Sequence, residues 1–370
     1  MEKHTNGAGP LHGLKILEFA GLGPVPFCAM LLGDLGADIV RIDRPGTPYG
    51  GPADITSRGR RSIILDLKSE TDQQTARALS ARADALLEGF RPGIMEKLNL
   101  GPSVLLKDNP ALVYGRMTGW GQDGPLAQAA GHDLNYIAIT GALAAMGTAD
   151  QPPAPPLNLV GDYGGGSLYL AFGVMAALHH AQKTGEGQVV DCAIVDGVMS
   201  LMAPIHWLRQ SGMWDEKKRQ ANLLDGGAFF YGTYACADGK FFTIGAIEPQ
   251  FYALLRDKLG LTATEWDNPF DQARWPELRE KLAAIFAQKP RAHWQALLEG
   301  TDACASSVMD MVEAADHPHN KARQNLIEVD GILQPAPAPR FSKTPGAIAG
   351  PPPEPGSDRD AILKDWGVNA

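Results

Sequence analysis

Cysteine is scarce in this sequence, which has four cysteines among 370 residues. Cys28, Cys192, Cys236 and Cys304 lie far apart along the chain, and no two of them form a C-x-x-C pair. This spacing is typical of buried or free thiols in a reducing compartment, and it argues against a disulfide framework or a thiolate metal site. We therefore expect neither a bound metal nor a redox cofactor.

Positive charge and long apolar runs are also lacking. The chain has 33 Lys+Arg against 42 Asp+Glu, a formal net charge of -9, whereas a general nucleic-acid binder needs a dominant basic field. No apolar run reaches the roughly 18 residues of a membrane span, and the N-terminus lacks the apolar core of a signal peptide. We predict a soluble cytoplasmic enzyme that binds neither nucleic acid nor membrane and holds anionic ligands through local clusters of charge.

The first part of the chain alternates short apolar strands with helices. This alternation predicts a Rossmann-like α/β domain with a mostly parallel sheet, whose ligands bind beyond the carboxyl ends of the strands. Gly21-Leu-Gly23 resembles half of a dinucleotide motif, but Pro26 replaces its third glycine, so we expect no nicotinamide cofactor. The predicted strands are 14–19, 39–42, 62–67, 85–88, 112–117 and 188–194, and the helices are 26–35, 70–81, 168–180 and 195–210.

The composition changes after residue 210. A polar linker, 211–227, precedes Asp238-Gly239, which marks a β-hairpin, and helices are predicted at 249–259, 275–286 and 291–299. A proline-rich extended stretch and a short helix at 358–366 follow. We predict a large α/β domain at 1–210, a smaller α+β domain at 228–325, and a C-terminal linker at 326–370 that returns to the large domain.

Arginines stand near the predicted carboxyl ends of several strands. Arg44 follows the second strand, Arg91 follows the fourth, and Arg60 and Arg61 lie beside the third. Guanidinium groups bind phosphate in a bidentate manner, so converging arginines suit a phosphate-bearing ligand. The alternative is a set of solvated loop charges, and the pattern alone leaves both open.

The stretch 130–166 organises the chain. His132 and Asp162 each stand at the glycine-marked start of a helix-like run, where free amide N–H groups suit an anion. The triple glycine 164–166 gives up side chains where a bulky ligand would approach the backbone. A base and an acid beside an anion site suit proton abstraction next to a carbonyl. The structural alternatives are a capping or core histidine and an N-cap aspartate.

These residues also resemble a known family. Gly-His-Asp, followed about thirty residues later by Asp-Tyr-Gly-Gly-Gly, resembles the alpha-methylacyl-CoA racemases, a group within the family III CoA-transferase superfamily. The resemblance extends from Leu11 to about Arg340, nearly the whole chain. It implies that His132 and Asp162 are the two acid/base residues.

The resemblance extends to the small domain and to a site for coenzyme A. Glu248 stands in Gly-Ala-Ile-Glu-Pro-Gln-Phe-Tyr, and the resemblance implies an interlocked homodimer in which Glu248 orients His132 across the two subunits. The ordinary alternative is a first-turn or capping carboxylate. Coenzyme A is then part of the substrate and no separate cofactor is expected. The residues implied to line its site are Arg44, Ile64, Leu65, Asp66, Leu67, Arg91, Ala130, Gly131, Asp133, Leu134 and Asn135.

Three functions agree with these residues. The resemblance implies a racemase that interconverts R and S 2-methylacyl-CoA thioesters by α-proton abstraction and reprotonation through an enolate. The alternative within the superfamily is a CoA-transferase, in which Asp162 attacks the thioester and forms an acyl-enzyme anhydride. A more distant possibility is a non-catalytic module that binds CoA or a nucleotide. His132 separates the first two, because a transferase needs only the carboxylate whereas proton exchange on two faces needs a second base.

Overall fold

The computed structural model describes residues 9–369, and this part of the chain divides into two compact units. Unit 1 contains residues 9–140, 157–201 and 323–369, and unit 2 contains residues 141–156 and 202–322. Unit 2 is thus built from one long and one short insertion into the sequence of unit 1. No helix within residues 9–369 is both long and apolar enough to cross a membrane.

Unit 1 is built around a parallel sheet. Its strands within the described residues are β1 (Lys15–Phe19), β2 (Asp38–Asp43), β3 (Arg60–Ile64), β4 (Ala85–Glu88), β5 (Val113–Thr118) and β6 (Val189–Ala193). They lie in the order β3-β2-β1-β4-β5-β6, which is the Rossmann-type order with a switch point between β1 and β4. Every pairing is parallel, so the predicted α/β fold with a mostly parallel sheet is confirmed.

Helices surround this sheet. The π-helix Leu159–Ser167 leads directly into the longest of them. A short 3-10 turn covers Ile55–Ser57. The α-helices of unit 1 up to residue 201 are α1 (Pro24–Asp34), α2 (Glu70–Ser80), α3 (Ile94–Lys97), α4 (Pro102–Asp108), α5 (Asp133–Ile139), α6 (Leu168–Thr184) and α7 (Ile194–Leu201).

The central strands carry almost continuous apolar residues because helices cover both of their faces. Ile16 and Leu17 of β1 and Leu86 and Leu87 of β4 are fully buried. The packing of this apolar core fixes the position of each strand in the sheet. It thereby also fixes where the loops after the carboxyl ends begin.

β3 begins earlier than predicted, and this changes the position of two arginines. Arg60 and Arg61 lie inside the strand, level with Ile39 and Val40 near the start of β2. Because the strands are parallel, the two arginines stand toward the amino-terminal edge of the sheet. Their predicted placement at a carboxyl end is therefore wrong.

Unit 2 contains an antiparallel sheet with helices packed on it. Its strands are β7 (Tyr231–Ala235), β8 (Phe241–Gly245) and β9 (Ala305–Val308), in that order, and β7 and β8 form the predicted hairpin around Asp238-Gly239. Its core is rich in aromatic residues, with Phe229, Phe230 and Phe286 fully buried. Short 3-10 turns cover Leu143–Ala145, Thr264–Trp266 and Gln272–Arg274. The helices are α8 (Ala203–Gln210), α9 (Pro249–Leu259), α10 (Trp275–Phe286), α11 (Arg291–Leu298), α12 (Met311–Asp316) and α13 (Pro318–Arg323).

The single helix predicted at 195–210 is two helices. α7 ends at Leu201 and α8 begins at Ala203, with Pro204 in its first turn. Proline has no backbone N–H and restricts the residue before it, so a continuous helix cannot pass this point undisturbed. The break coincides with the boundary between the two units.

The end of the described chain belongs to unit 1. A hairpin of β10 (Leu326–Val329) and β11 (Ile332–Pro335) precedes an extended stretch and α14 (Arg359–Trp366). Trp366 is 2% exposed within the core of unit 1, and its Nε1 donates a hydrogen bond to Oδ2 of Asp38 at 2.8 Å. Asp358, just before α14, accepts a hydrogen bond from the Ser62 backbone N–H at 2.9 Å. These contacts join α14 to β2 and β3.

Candidate active site

A pocket of about 450 Å³ opens at the carboxyl ends of β4 and β5. Its walls come from the loops after these strands and from the segment that leads into α5. A parallel sheet binds ligands at this edge, next to its switch point, so the pocket is the candidate active site. It is lined by Gly89, Phe90, Arg91, Pro92, Thr118, Gly119, Trp120, Ala127, Ala129, Ala130, Gly131, His132, Asn135 and Tyr136.

The structure brings several predicted site residues to this pocket. The lining includes Arg91, Ala130, Gly131, His132 and Asn135. These residues come from two loops that are separate in sequence and meet at one edge of the sheet.

Other residues predicted to bind coenzyme A lie further along the same edge. Arg44 follows β2 and is exposed, and residues 64–67 run from the last residue of β3 toward α2. Neighbouring strands are about 4.8 Å apart, so β2 and β3 stand roughly 10 and 14 Å from β4. Leu65 is fully buried, which leaves backbone groups as its contribution to any ligand site.

Arg60 is occupied within the protein. Its side chain is fully buried, forms an ion pair with Glu18, and donates hydrogen bonds to the backbone carbonyls of Thr56 and Pro26. Arg61 pairs with Asp38 and Asp365. Both guanidinium groups stabilise unit 1 and are not free to hold a phosphate.

His132 is the N-cap residue of α5, and its side chain is exposed. Its backbone N–H donates a hydrogen bond to Oδ1 of Asn135 at 3.0 Å, which fixes the start of the helix. A Cβ at Gly131 would lie 2.7 Å from the Tyr136 ring and 2.9 Å from the Trp120 ring. Glycine at 131 is therefore required for the chain to pass the two aromatic rings and present His132 to the pocket.

Asp162 lies in the π-helix, and its side chain is partly buried. Burial raises the pKa of this carboxyl group, and the charge of Asp133 raises it further. A hydrogen bond with the Asn158 side chain and the charge of His132 lower it in part, and the net shift is upward. Asp162 therefore keeps its proton to a higher pH than an exposed aspartate does.

The Asp162 carboxyl group also lies beside the loop that follows β1. A Cβ at Gly23 would lie 3.5 Å from Oδ2 of Asp162. Gly23 is the N-cap residue of α1 with φ 72, a conformation that favours glycine. This contact places Asp162 at the switch point between β1 and β4.

Asp133 connects the two titratable residues. It follows His132 directly, is 7% exposed, and its Oδ2 accepts a hydrogen bond from the Asp162 backbone N–H at 2.7 Å. The Asp133 side chain thus faces the π-helix, whereas the family resemblance implies a place for this residue in the coenzyme A site. Leu134, the next residue, is exposed and is not part of the pocket lining.

The backbone around Asp162 differs from the expected anion site. The Asp162 N–H is bonded to Asp133, and the Tyr163 N–H donates to the Asn158 carbonyl at 3.2 Å. Asp162 lies in the first turn of the π-helix, whose amino-terminal N–H groups at positions 162 and 163 already have partners. The prediction of free amides at this position is wrong for these two residues.

The triple glycine serves helix packing. A Cβ at Gly165 would lie 2.9 Å from the Val198 backbone nitrogen, and a Cβ at Gly197 would overlap the Gly165 carbonyl. A Cβ at Gly166 would lie 3.2 Å from side-chain atoms of Ile194 and Pro24. Gly165 and Gly166 let the π-helix lie directly against α7, so helix packing explains the missing side chains at these two positions. The approach of a ligand to this backbone stays a prediction.

Sequence reasoning missed Tyr136, which stands one helical turn after His132. Its hydroxyl donates a hydrogen bond to the Gly131 carbonyl, and its ring meets Trp120 edge to face at 4.7 Å. Burial and the charge of Asp162 raise the pKa of Tyr136, and the charge of Arg91 lowers it in part. Tyr136 therefore lies within electrostatic range of both the acid and the arginine. Its i, i+4 spacing from His132 is the signal that could have identified it.

Glu248 belongs to unit 2. It is exposed, it is the N-cap residue of α9, and its carbonyl accepts hydrogen bonds from the N–H groups of Phe251 and Tyr252. Its charge contributes to the raised pKa of the nearby Cys304 thiol, after burial as the main cause. No group of three or more His, Cys, Asp or Glu side chains suited to a metal ion occurs within residues 9–369.

Comparison with known proteins identifies the family. A family model described as CoA-transferase family III matches residues 11–359. The chain belongs to this family.

Two members of this family are similar to the chain over nearly its whole length. The chain is 44% identical over 362 residues to alpha-methylacyl-CoA racemase of Mus musculus, which covers 97% of this chain and 94% of that protein. It is 43% identical over 364 residues to the Homo sapiens protein of the same name, with coverage of 97% and 94%. A crystal structure of a CAIB/BAIF family protein from Brucella suis matches with a TM-score of 0.82 at 26% identity, covering 97% of this chain and 99% of that one. The family and the fold predicted from the sequence are both confirmed.

Proposed function

We propose that this family III CoA-transferase member is a racemase that interconverts R and S 2-methylacyl-CoA thioesters. The observation that carries the proposal is that an exposed imidazole, His132, lines the pocket, while the partly buried carboxyl group of Asp162, which is not part of the lining, lies within electrostatic range of it at the switch point of the sheet. The similarity to the mouse and human proteins named alpha-methylacyl-CoA racemase supports the same activity here.

His132 and Asp162 each exchange a proton with one face of the α carbon. One isomer loses its proton to neutral His132 while protonated Asp162 supplies a proton to the other face, and the second isomer uses the two groups in reversed roles. The raised pKa of Asp162 favours the protonated carboxyl group that the first direction needs. When His132 takes the proton, its positive charge stabilises the neighbouring enolate.

A CoA-transferase is the alternative within the family. Its aspartate must attack the thioester as an ionised carboxylate, and a raised pKa of Asp162 disfavours that form. A transferase also gives no chemical task to the imidazole of His132. These two points favour the racemase.

Coenzyme A is expected to lie along the carboxyl edge of the sheet, as part of the substrate. Arg91 lines the pocket after β4, Arg44 follows β2, and residues 64–67 lie at the carboxyl end of β3, at the same edge. A ligand that runs across these strands would meet Arg44 and Arg91 in turn. Exposed guanidinium groups suit its phosphates.

The acting enzyme is proposed to be a homodimer in which Glu248 orients His132 across the two subunits. Unit 1 presents large apolar side chains to solvent, with Phe172 74% and Leu168 53% exposed on the outer face of α6. Exposed apolar residues of this size, spaced four apart on one helix, are typical of a protein interface.

The proposal is tested by incubating each isomer of a 2-methylacyl-CoA with the protein in deuterium oxide, without an acceptor acid. We expect interconversion of the isomers and incorporation of deuterium at the α carbon, measured by mass spectrometry and chiral analysis. His132→Ala and Asp162→Ala should each abolish interconversion. Exchange from one isomer can survive in each variant, because each variant keeps one base.

A transferase gives a different set of results. It requires an acceptor carboxylate, forms an acyl adduct on Asp162 that hydroxylamine traps, and tolerates the loss of His132. Trapping of that adduct without α-deuterium incorporation would refute the racemase.

A further inference from the structure

Asp133 places a second carboxylate against the backbone of Asp162. Its side chain is almost completely buried, and the bond from the Asp162 N–H to its Oδ2 is short and direct. Because Asp133 follows His132, one short segment presents the imidazole to the pocket and the carboxylate to the π-helix.

Gly161 makes this close approach possible. A Cβ at position 161 would overlap Oδ2 of Asp133 and would lie 2.7 Å from its Cγ and 3.1 Å from a methyl group of Ile137. Any larger residue would push the Asp133 carboxylate away from the chain that carries Asp162. The two aspartates are therefore held together by a packing constraint as well as by a hydrogen bond.

The contacts of the second carboxylate oxygen of Asp133 do not explain why a charged residue stands at this position. Oδ1 is buried and has no hydrogen-bond partner within residues 9–369, which destabilises the fold. An asparagine at 133 would accept the same hydrogen bond from the Asp162 N–H without burying a charge. A buried charge that the local structure does not need points to a role in the chemistry of its neighbour.

Few charged groups surround Asp162. Asp133 and His132 act on its carboxyl group through their charges, and Tyr136 of α5 responds to the charge of Asp162. Among these groups Asp133 is the negative one. The titratable side chains on the other elements packed against the π-helix are Cys28 and Asp34 on α1, Tyr169, His179, His180 and Lys183 on α6, Asp191 and Cys192 on β6, and Asp196 on α7.

We propose that Asp133 is a positioning residue for proton transfer by Asp162: its carboxylate fixes the Asp162 backbone and places a negative charge within electrostatic range of the Asp162 carboxyl group. That charge helps Asp162 hold the proton that it returns to the enolate formed by His132. The catalytic meaning of this role rests on the proposed racemase function. The contact itself and its effect on Asp162 can be measured without that activity.

The test replaces Asp133 with asparagine, which keeps an oxygen acceptor for the Asp162 N–H and removes the charge. Protein with ¹³C-labelled aspartate carboxyl groups is titrated by NMR, and the Asp162 signal is assigned by its loss in Asp162→Asn. We expect the Asp162 titration midpoint to fall by roughly one pH unit in Asp133→Asn. The acid limb of the pH profile of kcat/KM for racemisation should move to lower pH by the same amount.

Asp84→Asn is the matched control. Asp84 lies in the same unit, just before β4, and its Oδ2 accepts a hydrogen bond from the Lys15 backbone N–H at 2.8 Å. This variant loses a carboxylate with the same kind of bond at the opposite edge of the sheet. It should leave the Asp162 midpoint and the pH profile unchanged.

The outcomes separate the two proposals. If Asp133→Asn does not fold, Asp133→Ser, which also lacks the charge, is titrated instead. An unchanged Asp162 midpoint in a folded, uncharged variant overturns the role of Asp133. A lowered midpoint in the variant, together with no α-deuterium exchange by the wild-type protein, supports the effect of Asp133 on Asp162 and refutes the racemase.

Discussion

Arginine side chains have two different roles in this molecule, and burial separates them. Arg58 and Arg60 are buried and form ion pairs with Asp34 and Glu18. A buried guanidinium that already has its partners cannot bind a ligand without breaking those pairs at a cost of several kcal/mol. Exposed arginines at the carboxyl edge of the sheet are not held in such buried ion pairs, which makes them the candidates for phosphate binding.

We expect Arg91→Ala and Arg44→Ala each to weaken acyl-CoA binding by roughly 1–3 kcal/mol, the range for a lost charge-assisted hydrogen bond. Isothermal titration calorimetry measures the affinity. Arg82→Ala is the control, because Arg82 is exposed and precedes β4 at the opposite edge of the sheet. Equal affinities in all three variants would show that the edge arginines do not hold phosphate.

At the scale of single residues, the sequence indicates which residue types could act in a site, but it does not indicate where their side chains point. The motif singled out His132 and Asp162, and the structure places them within electrostatic range of each other. The sequence could not show that the Asp133 carboxylate contacts the π-helix, because its partner, the Asp162 N–H, is 29 residues away along the chain. Tertiary packing decides which way such a side chain points.

The π-helix is the element that carries Asp162. π-helices are rare and are found mostly at functional sites, since their wider turn is less stable than an α-turn. Here the π-helix is held by close packing against α7, which the small residues at the crossing allow. Contacts outside the helix therefore maintain a backbone that local propensity would not favour.

Replacing one glycine at this crossing should disturb both stability and the site. In Gly197→Ala the new Cβ would overlap the Gly165 carbonyl, and we expect the free energy of unfolding to fall by roughly 1–3 kcal/mol, as in other overpacked cores. Racemase activity should fall further than acyl-CoA affinity, because the shift moves Asp162 and leaves the pocket walls in place. Denaturant unfolding and steady-state kinetics measure the two effects.

Gly350→Ala is the control for this substitution. A Cβ at Gly350 would have no atom within 4 Å, so stability should change by less than about 0.5 kcal/mol. A Gly197→Ala protein as stable and active as Gly350→Ala would mean that the crossing tolerates a methyl group and that the glycines have another purpose.

Elements with strong apolar patterns were predictable, and those set by tertiary contacts were not. The strands of the sheet and α9 and α10 follow apolar runs and capping signals, and apart from the shifted β3 the structure contains them close to the predicted places. The π-helix register depends on packing against α7 and has no signal in the sequence. The hairpin of β10 and β11 lies in the segment predicted as a C-terminal linker, and it was missed.

At the scale of the whole molecule, each active site of the proposed homodimer contains residues from both subunits. Composition contains no sign of an interlocked assembly, so this expectation rests on the family. Its strongest support in the structure is the exposed apolar surface of unit 1.

Mixing two inactive variants tests the sharing directly. When His132→Ala and Glu248→Ala chains are refolded together, each mixed dimer has one site with both residues intact if Glu248 serves the other subunit. Random pairing should then restore about one quarter of the wild-type sites, whereas each variant alone stays impaired. Light scattering gives the mass of the assembly. A monomer, or a mixture no more active than its components, would exclude the cross-subunit role.

The position of α14 has a consequence for the newly made chain. All strands of the large sheet have been synthesised by Ala193, but Ile362, Leu363 and Trp366, which complete its core, follow only about 170 residues later. At about 5–20 residues per second, a ribosome needs roughly 10 to 30 seconds to supply them. During that interval unit 1 displays an uncovered apolar surface while unit 2 is being made. We therefore expect the nascent chain, more than the finished protein, to depend on chaperones.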